Sequence, residues 1–134
     1  MIILRVQMAT STGMARRILV VDDETLVCDT IRRVLSFDHH EVKTATGSQD
    51  ALAAYEPGKF DLVITDYEMP GMKGDKLAAA IKALAPRQPI IMLTAHTESL
   101  HQAGDAPSSV DLVMGKPFRL QELRDAVRQF TAKE

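Results

Sequence analysis

The chain has 134 residues, 46% of them apolar and 25% charged, with a formal net charge of −2, which suits one globular domain with a single core and gives no general field favouring nucleic acid or an anionic membrane. Its single cysteine, Cys28, excludes an intrachain disulfide; it fits a reducing compartment and, lying within a helical pattern, a packing role. No apolar run approaches the ~20 residues a membrane span needs and the start lacks a basic leader with a long apolar region, so a cytoplasmic protein is expected.

In chain order, residues 1–15 show no helical period and pass through Ala9-Thr10-Ser11-Thr12-Gly13, a linker composition. They are expected to form a disordered arm ahead of one domain over 16–134. Residues 18–21 are a short apolar run ending abruptly in Asp22-Asp23-Glu24 and predict the first strand. Val27, Ile31, Val34 and Leu35 then recur at the spacing of an amphipathic helix. Acids in its first turn and Arg32 and Arg33 further on match the helix dipole. Asp38-His39-His40 predicts a turn, and residues 41–45 a second strand. Thr46 and Gln49 have the spacing of a capping box opening a helix through Tyr55, which Pro57-Gly58 ends.

Leu62, Val63 and Ile64 lack polar alternation, the mark of a strand buried on both faces. This third strand stops at Asp66, and Pro70-Gly71 forces a turn soon after. Leu77, Ile81 and Leu84 predict a helix over 75–84, residues 90–94 a fourth buried strand and residues 110–114 a fifth. In segment 97–109, Gly104, Pro107 and Ser108-Ser109 argue against a long helix. Gly115-Lys116-Pro117 predicts a turn, and Leu120, Leu123, Val127 and Phe130 mark one face of a last helix. Alternation of this kind predicts an α/β fold: a doubly wound, five-stranded parallel sheet in the order 2-1-3-4-5, flavodoxin-like (βα)5.

In such a sheet the ends of strands one, three, four and five open on one edge, where ligands bind. That edge carries Asp22 and Asp23, then Asp66, then Thr94, then Lys116. Converging carboxylates repel by roughly 4 kcal/mol per close pair at an intermediate dielectric. A divalent cation offsets that repulsion, and Mg²⁺ prefers one or two carboxylates with waters and phosphate oxygens. A lysine adds a point charge and a threonine a neutral donor, which together describe a phosphoryl site with the central aspartate as nucleophile. Each residue taken singly has a plainer role. The acid pair favours a helix start, the threonine ends a strand, and the lysine is solvated before a proline. Four such coincidences at four strand ends are much harder to accept than one site.

At these positions the chain resembles the receiver domains of two-component response regulators. The resemblance runs from about Arg17 to Phe130. It is carried by Ile18-Leu19-Val20-Val21-Asp22-Asp23-Glu24, Asp61-Leu62-Val63-Ile64-Thr65-Asp66, Met69-Pro70-Gly71-Met72-Lys73-Gly74, Leu93-Thr94-Ala95 and Lys116-Pro117-Phe118. It implies that Asp66 takes a phosphoryl group from a histidine kinase or a histidine phosphotransfer protein. It also implies Mg²⁺ held by Asp22, Asp23, Asp66 and the backbone carbonyl of Glu68. Thr94 and Lys116 would bind the phosphoryl oxygens, Ala95 would leave the phosphate room, and the Lys116-Pro117 bond would be cis. Such a domain is no enzyme beyond its own aspartyl phosphorylation and dephosphorylation. Glu68 and His96, each two residues past a site residue, are expected to set the phosphate's lifetime.

Three features depart from the family's habit: Val113 where an aromatic is common, Gly104 and Pro107 together in a helical segment, and Arg119 where an acid often caps a helix. The first two are expected to move the output away from the usual aromatic switch, to a local change of order in 95–109. The rival readings are a stand-alone phosphate shuttle, a receiver-like binding module without phosphorylation, a hydrolase or transferase on an external phosphorylated substrate, and a flavodoxin-like nucleotide binder. The last wants a glycine- or serine-rich anion cradle after strand one, where this chain has three acids. His39, His40, His96 and His101 lack metal-ligand spacing and are read as solvated. Arg124 and Arg128 are read as a solvated helix face rather than a nucleic-acid footprint. Neither direct nucleic-acid binding nor a membrane is expected, and a homodimer is compatible with the sequence.

Overall fold

The computed structural model describes residues 16–96 and 109–131. Strands β1 (Arg17–Val21), β2 (Glu41–Ala45), β3 (Leu62–Asp66), β4 (Ile90–Thr94) and β5 (Leu112–Gly115) pair in parallel in the order β2-β1-β3-β4-β5. Among the described residues the helices are α1 (Thr25–Phe37), α2 (Ser48–Ala54), α3 (Gly74–Leu84) and α4 (Leu120–Thr131). The expected α/β doubly wound sheet is therefore observed, strand order included.

The core has two halves because the sheet is covered on both faces. Ile18, Val20, Ile64, Ile91 and Leu93 point to one face and meet Cys28, Ile31 and Leu35 of α1 and Leu123, Ala126 and Val127 of α4. Leu19, Val21, Val63 and Ile90 point to the other and meet Ala51 of α2 and Leu77, Ala78 and Ile81 of α3. Every residue of β3 and β4 is buried, which is why their sequences show no polar alternation. Cys28 is buried as a packing residue, and its thiol donates to the Asp22 carbonyl at 3.3 Å.

The register brings the carboxyl ends of the strands nearly level. Val21 pairs with both Ala45 and Thr65, Asp66 with Leu93, and Thr94 with Gly115. The polar residues that follow each apolar run thus gather along one edge of the sheet.

Several local expectations are corrected. Thr46 does not cap α2: Gly47 holds the N-cap, no side-chain cap bond forms, and the Thr46 hydroxyl donates to Asp50 at 3.4 Å. The acids assigned to the first turn of α1 lie ahead of it, with Glu24 at the N-cap, and its last turn holds no base. Arg119 precedes α4, and the Glu122 carboxylate accepts its backbone N–H at 2.8 Å, the reciprocal half of a capping box. β5 starts at Leu112 rather than Val110; just before it, Asp111 donates its N–H to the Ile90 carbonyl at 2.8 Å, and its carboxylate accepts the Ile90 N–H at 2.8 Å and Lys82 at 3.0 Å. Arg124 is not simply solvated: it holds Asp38 through two bonds of 2.8 and 2.7 Å and ties α4 to the end of α1. His40 is half-buried and accepts the Arg16 N–H at Nδ1, 3.2 Å away. The arm over 1–15 and the segment 97–108, expected to be irregular, lie outside the described residues. Among the described residues, no helix is long and apolar enough to cross a membrane.

Candidate functional site

The acids come from the ends of two central, neighbouring strands. Asp22 follows β1 directly and Asp66 closes β3; they are 1% and 3% exposed, whereas Asp23 faces solvent. One carboxylate oxygen from each of Asp22, Asp23 and Asp66 lies within 4.8 Å of the other two. Asp22 is fixed at both ends: its N–H donates to Ala45 at 3.1 Å, and its Oδ1 accepts the Glu24 N–H at 2.9 Å.

Lys116 arrives from the end of β5. Its N–H donates to the Thr94 carbonyl at 2.8 Å, continuing the β4–β5 ladder, and the Lys116-Pro117 peptide is cis, as the resemblance implies. Its Nζ lies 2.7 Å from Asp66 Oδ1 and 3.4 Å from Asp22 Oδ2. The site thus holds three carboxylates against one ammonium in contact.

The loop after β3 is pinned rather than loose. Tyr67 donates its N–H to Leu93 at 2.8 Å, Gly74 donates to Tyr67 at 3.0 Å, and the Ser48 hydroxyl donates to the Met72 carbonyl at 2.7 Å. Gly71 takes φ +77°, a conformation that side chains disfavour. A Cβ on Gly74 would collide with the Asp66 carbonyl oxygen and lie 2.9 Å from Tyr67 Cα. Glycine there lets α3 begin against the backbone of the central aspartate.

Thr94 is fully buried and its hydroxyl has two partners. It donates to Glu68 Oε2 at 2.6 Å and accepts the His96 N–H at 3.0 Å. His96 Nε2 lies 3.9 Å from the same Glu68 oxygen. Glu68 and His96, expected to flank the site, are therefore in contact with each other and around Thr94.

Burial raises the Asp66 carboxyl to about 6; the Lys116 bond opposes this and the Asp22 charge adds to it. Asp22 is also raised, first by burial, with the Glu24 N–H and Lys116 opposing. Burial pulls the Lys116 ammonium down, but its bond to Asp66 and the two carboxylate charges outweigh burial and leave it raised. Ionised Asp66 is thus costly to the metal-free fold. A carboxyl whose folded value exceeds its unfolded value binds its proton better when folded, so its contribution to stability falls as pH rises from 3.8 through about 6. His40, lowered by burial, contributes the opposite slope below its ordinary 6.5. The effect of Asp66 is therefore isolated by comparison with Asp66→Asn. In chelator, the urea midpoint of wild type relative to Asp66→Asn should fall between pH 4 and pH 7 (about the window of that shift), and Mg²⁺ should narrow the gap. A flat difference would mean Asp66 is not held in this environment.

The donors suit a hard divalent cation: three carboxylate oxygens, two from buried groups, with one lysine to share among them. Mg²⁺ takes such oxygen ligands and keeps positions for water and phosphate. Asp22, Asp23, Asp66 and Lys116 are thus brought together as expected, while the Thr94 hydroxyl is engaged by Glu68. Two features were not legible beforehand. Gly74 belonged to a recognised pattern, but its role needed the approach of α3 to β3. The Glu68–Thr94 bond joins residues 26 apart, and nothing in the sequence signalled it; the equal spacing of Glu68 and His96 past Asp66 and Thr94 pointed only to the two flanking the site together.

The family description response regulator receiver domain matches residues 18–128. Transcriptional regulatory protein TcrA of Mycobacterium tuberculosis is 31% identical over 117 residues, covering 87% of this chain and 46% of TcrA. The chain spans about half the length of the curated relatives it matches. A response regulator receiver domain protein from Clostridium thermocellum superposes with a TM-score of 0.79 at 30% identity, covering 86% of this chain and 93% of that one. Response regulator TrrA of Thermotoga maritima, solved in complex with Mg²⁺-BeF, gives 0.77 at 35% identity, covering 86% and 98%.

Proposed function

We propose, because this chain belongs to the response regulator receiver domain family, that Asp66 is its phosphoacceptor and takes the group from the phosphohistidine of a histidine kinase or histidine phosphotransfer protein. The observation that carries this reading is a buried carboxylate at the end of β3 with Lys116 Nζ at 2.7 Å and two further carboxylates converging on it.

In the step proposed, an Asp66 carboxylate oxygen attacks phosphorus, forming the acyl phosphate as the phosphorus–nitrogen bond of the donor breaks. The bonding pair leaves with the imidazole nitrogen, which takes a proton from solvent. Bound Mg²⁺, held by Asp22, Asp23, Asp66 and the Glu68 carbonyl, would supply the charge that lets phosphoryl oxygens enter an acidic site. Lys116 then exchanges part of its contact with Asp66 for a phosphoryl oxygen. Thr94 donates its hydroxyl to another, and Ala95 leaves room beside it. Such preorganised donors act where charge accumulates in the transition state. Glu68 and His96, 3.9 Å apart beside Thr94, flank the path by which water reaches the acyl phosphate and set its lifetime. Val113, half-buried on β5 opposite Met92, has no ring to rotate, so output is read as proceeding without an aromatic swing on β5; the 95–109 segment expected to carry it lies largely outside the described residues.

The test is intact-mass spectrometry after incubation with acetyl phosphate. A gain of one phosphoryl group that requires Mg²⁺ and maps to Asp66 is expected. An unmodified mass with acetyl phosphate and with a panel of histidine kinases would overturn the reading.

A further inference from the structure

We propose that the Glu68 carboxylate is a positioning residue that holds the Thr94 hydroxyl out of the phosphoryl site, so that phosphorylation must first take Thr94 from Glu68. The inference rests on the reading of Asp66 as acceptor and names a regulation of that same site.

The Thr94 hydroxyl has one proton to donate, and it is given to Glu68 Oε2 at 2.6 Å, the short distance of a bond to an ionised acceptor. Its oxygen is held from the other side by the His96 N–H at 3.0 Å. Thr94 is fully buried, so water is not there to replace a partner that is lost. A phosphoryl oxygen seeking that proton therefore competes with a carboxylate already in place. The competition is local: Glu68 is carried by the pinned loop after β3 and Thr94 by the rigid end of β4. A hydrogen bond to a charged group has enough net strength to shift a two-state equilibrium by about tenfold. Because one bond must break as the other forms, Glu68 sets the threshold of the switch. The His96 amide, bonded to the same hydroxyl oxygen, reports its position without any phosphate present.

Two effects of Glu68 have to be separated, since its negative charge also repels a phosphoryl group. Glu68→Gln removes the charge and keeps an acceptor oxygen, whereas Glu68→Ala removes both. Thr94→Val removes the proton being contested. With BeF₃⁻ and Mg²⁺ as the probe, Glu68→Ala should lower the half-saturating BeF₃⁻ concentration by about tenfold, and Glu68→Gln by clearly less. In the Thr94→Val chain the two Glu68 variants should become equivalent, which a double-mutant cycle reads directly. In the metal-free state, the His96 amide resonance of Glu68→Ala should move toward its position in BeF₃⁻-bound wild type. Equal effects of Glu68→Ala with and without Thr94, or an unmoved His96 amide, would overturn the latch and leave simple repulsion. Failure of wild type itself to bind BeF₃⁻ would instead refute the acceptor reading on which the latch stands.

Discussion

Asp66→Asn is expected to take up no phosphoryl group from acetyl phosphate or from any kinase that labels wild type, and yet to be the more stable protein in the absence of metal. The first half follows from chemistry: the amide lacks a carboxylate oxygen able to form an acyl phosphate. The second follows from the environment of Asp66. It is 3% exposed and raised to about 6 by burial, so at pH 7 it is ionised but at a greater cost than in the unfolded chain. Asparagine has the same shape and keeps an oxygen for Lys116 Nζ, now 2.7 Å from Asp66, while Lys116 keeps Asp22 at 3.4 Å. Removing the charge should raise metal-free stability at pH 7 by about 1–3 kcal/mol. Urea denaturation in chelator measures this, and intact mass measures the labelling. An Asn chain that still gains phosphate places the acceptor elsewhere, and one that is less stable than wild type removes the electrostatic argument.

Gly74→Ala is expected to damage both fold and site. The added methyl would meet the Asp66 carbonyl oxygen and the Tyr67 Cα, which are backbone atoms and cannot rotate away. Either α3 backs off from β3, opening the cluster around Leu77, Ala78 and Ile81, or the aspartate itself shifts. Overpacking of this kind costs about 3 kcal/mol when backbone must move. Phosphorylation should fall with it, because the displaced carbonyl belongs to the acceptor residue and the Gly74 N–H secures the loop at Tyr67. Gly47→Ala is the control: nothing lies within 4 Å of its added Cβ, so a loss of about 1 kcal/mol or less is expected. Equal denaturation midpoints for the two variants would show that the approach of α3 to Asp66 is not tight.

Much of the fold was legible because a parallel sheet covered on both faces imposes a coarse pattern. Leu62, Val63 and Ile64 have to be apolar without interruption, since both faces of β3 are buried. The helices have to carry stripes such as Cys28, Ile31 and Leu35, which close one half of the core. Errors fell where several local solutions have similar energies. Thr46 has the composition of an N-cap, but the backbone turns one residue later and Gly47 takes the position. Arg124 has the look of a solvated side chain, and only the neighbouring end of α1 provides Asp38.

For the site, the sequence alone determined which groups stand at the strand ends: Asp22, Asp23, Asp66, Thr94 and Lys116 each close or follow an apolar run, and parallel register aligns those ends whatever the side chains do. Tertiary structure decided which of these groups touch. Lys116 bridges Asp66 and Asp22 across 50 and 94 residues of chain, and Thr94 turns to Glu68 rather than standing free. The physical reason is one of range. Hydrophobic periodicity is written in neighbours three or four residues apart, so a single sequence displays it. A hydrogen bond or a carboxylate pair acts over a few ångströms between residues far apart in the chain, and its geometry exists only once the sheet has placed them side by side.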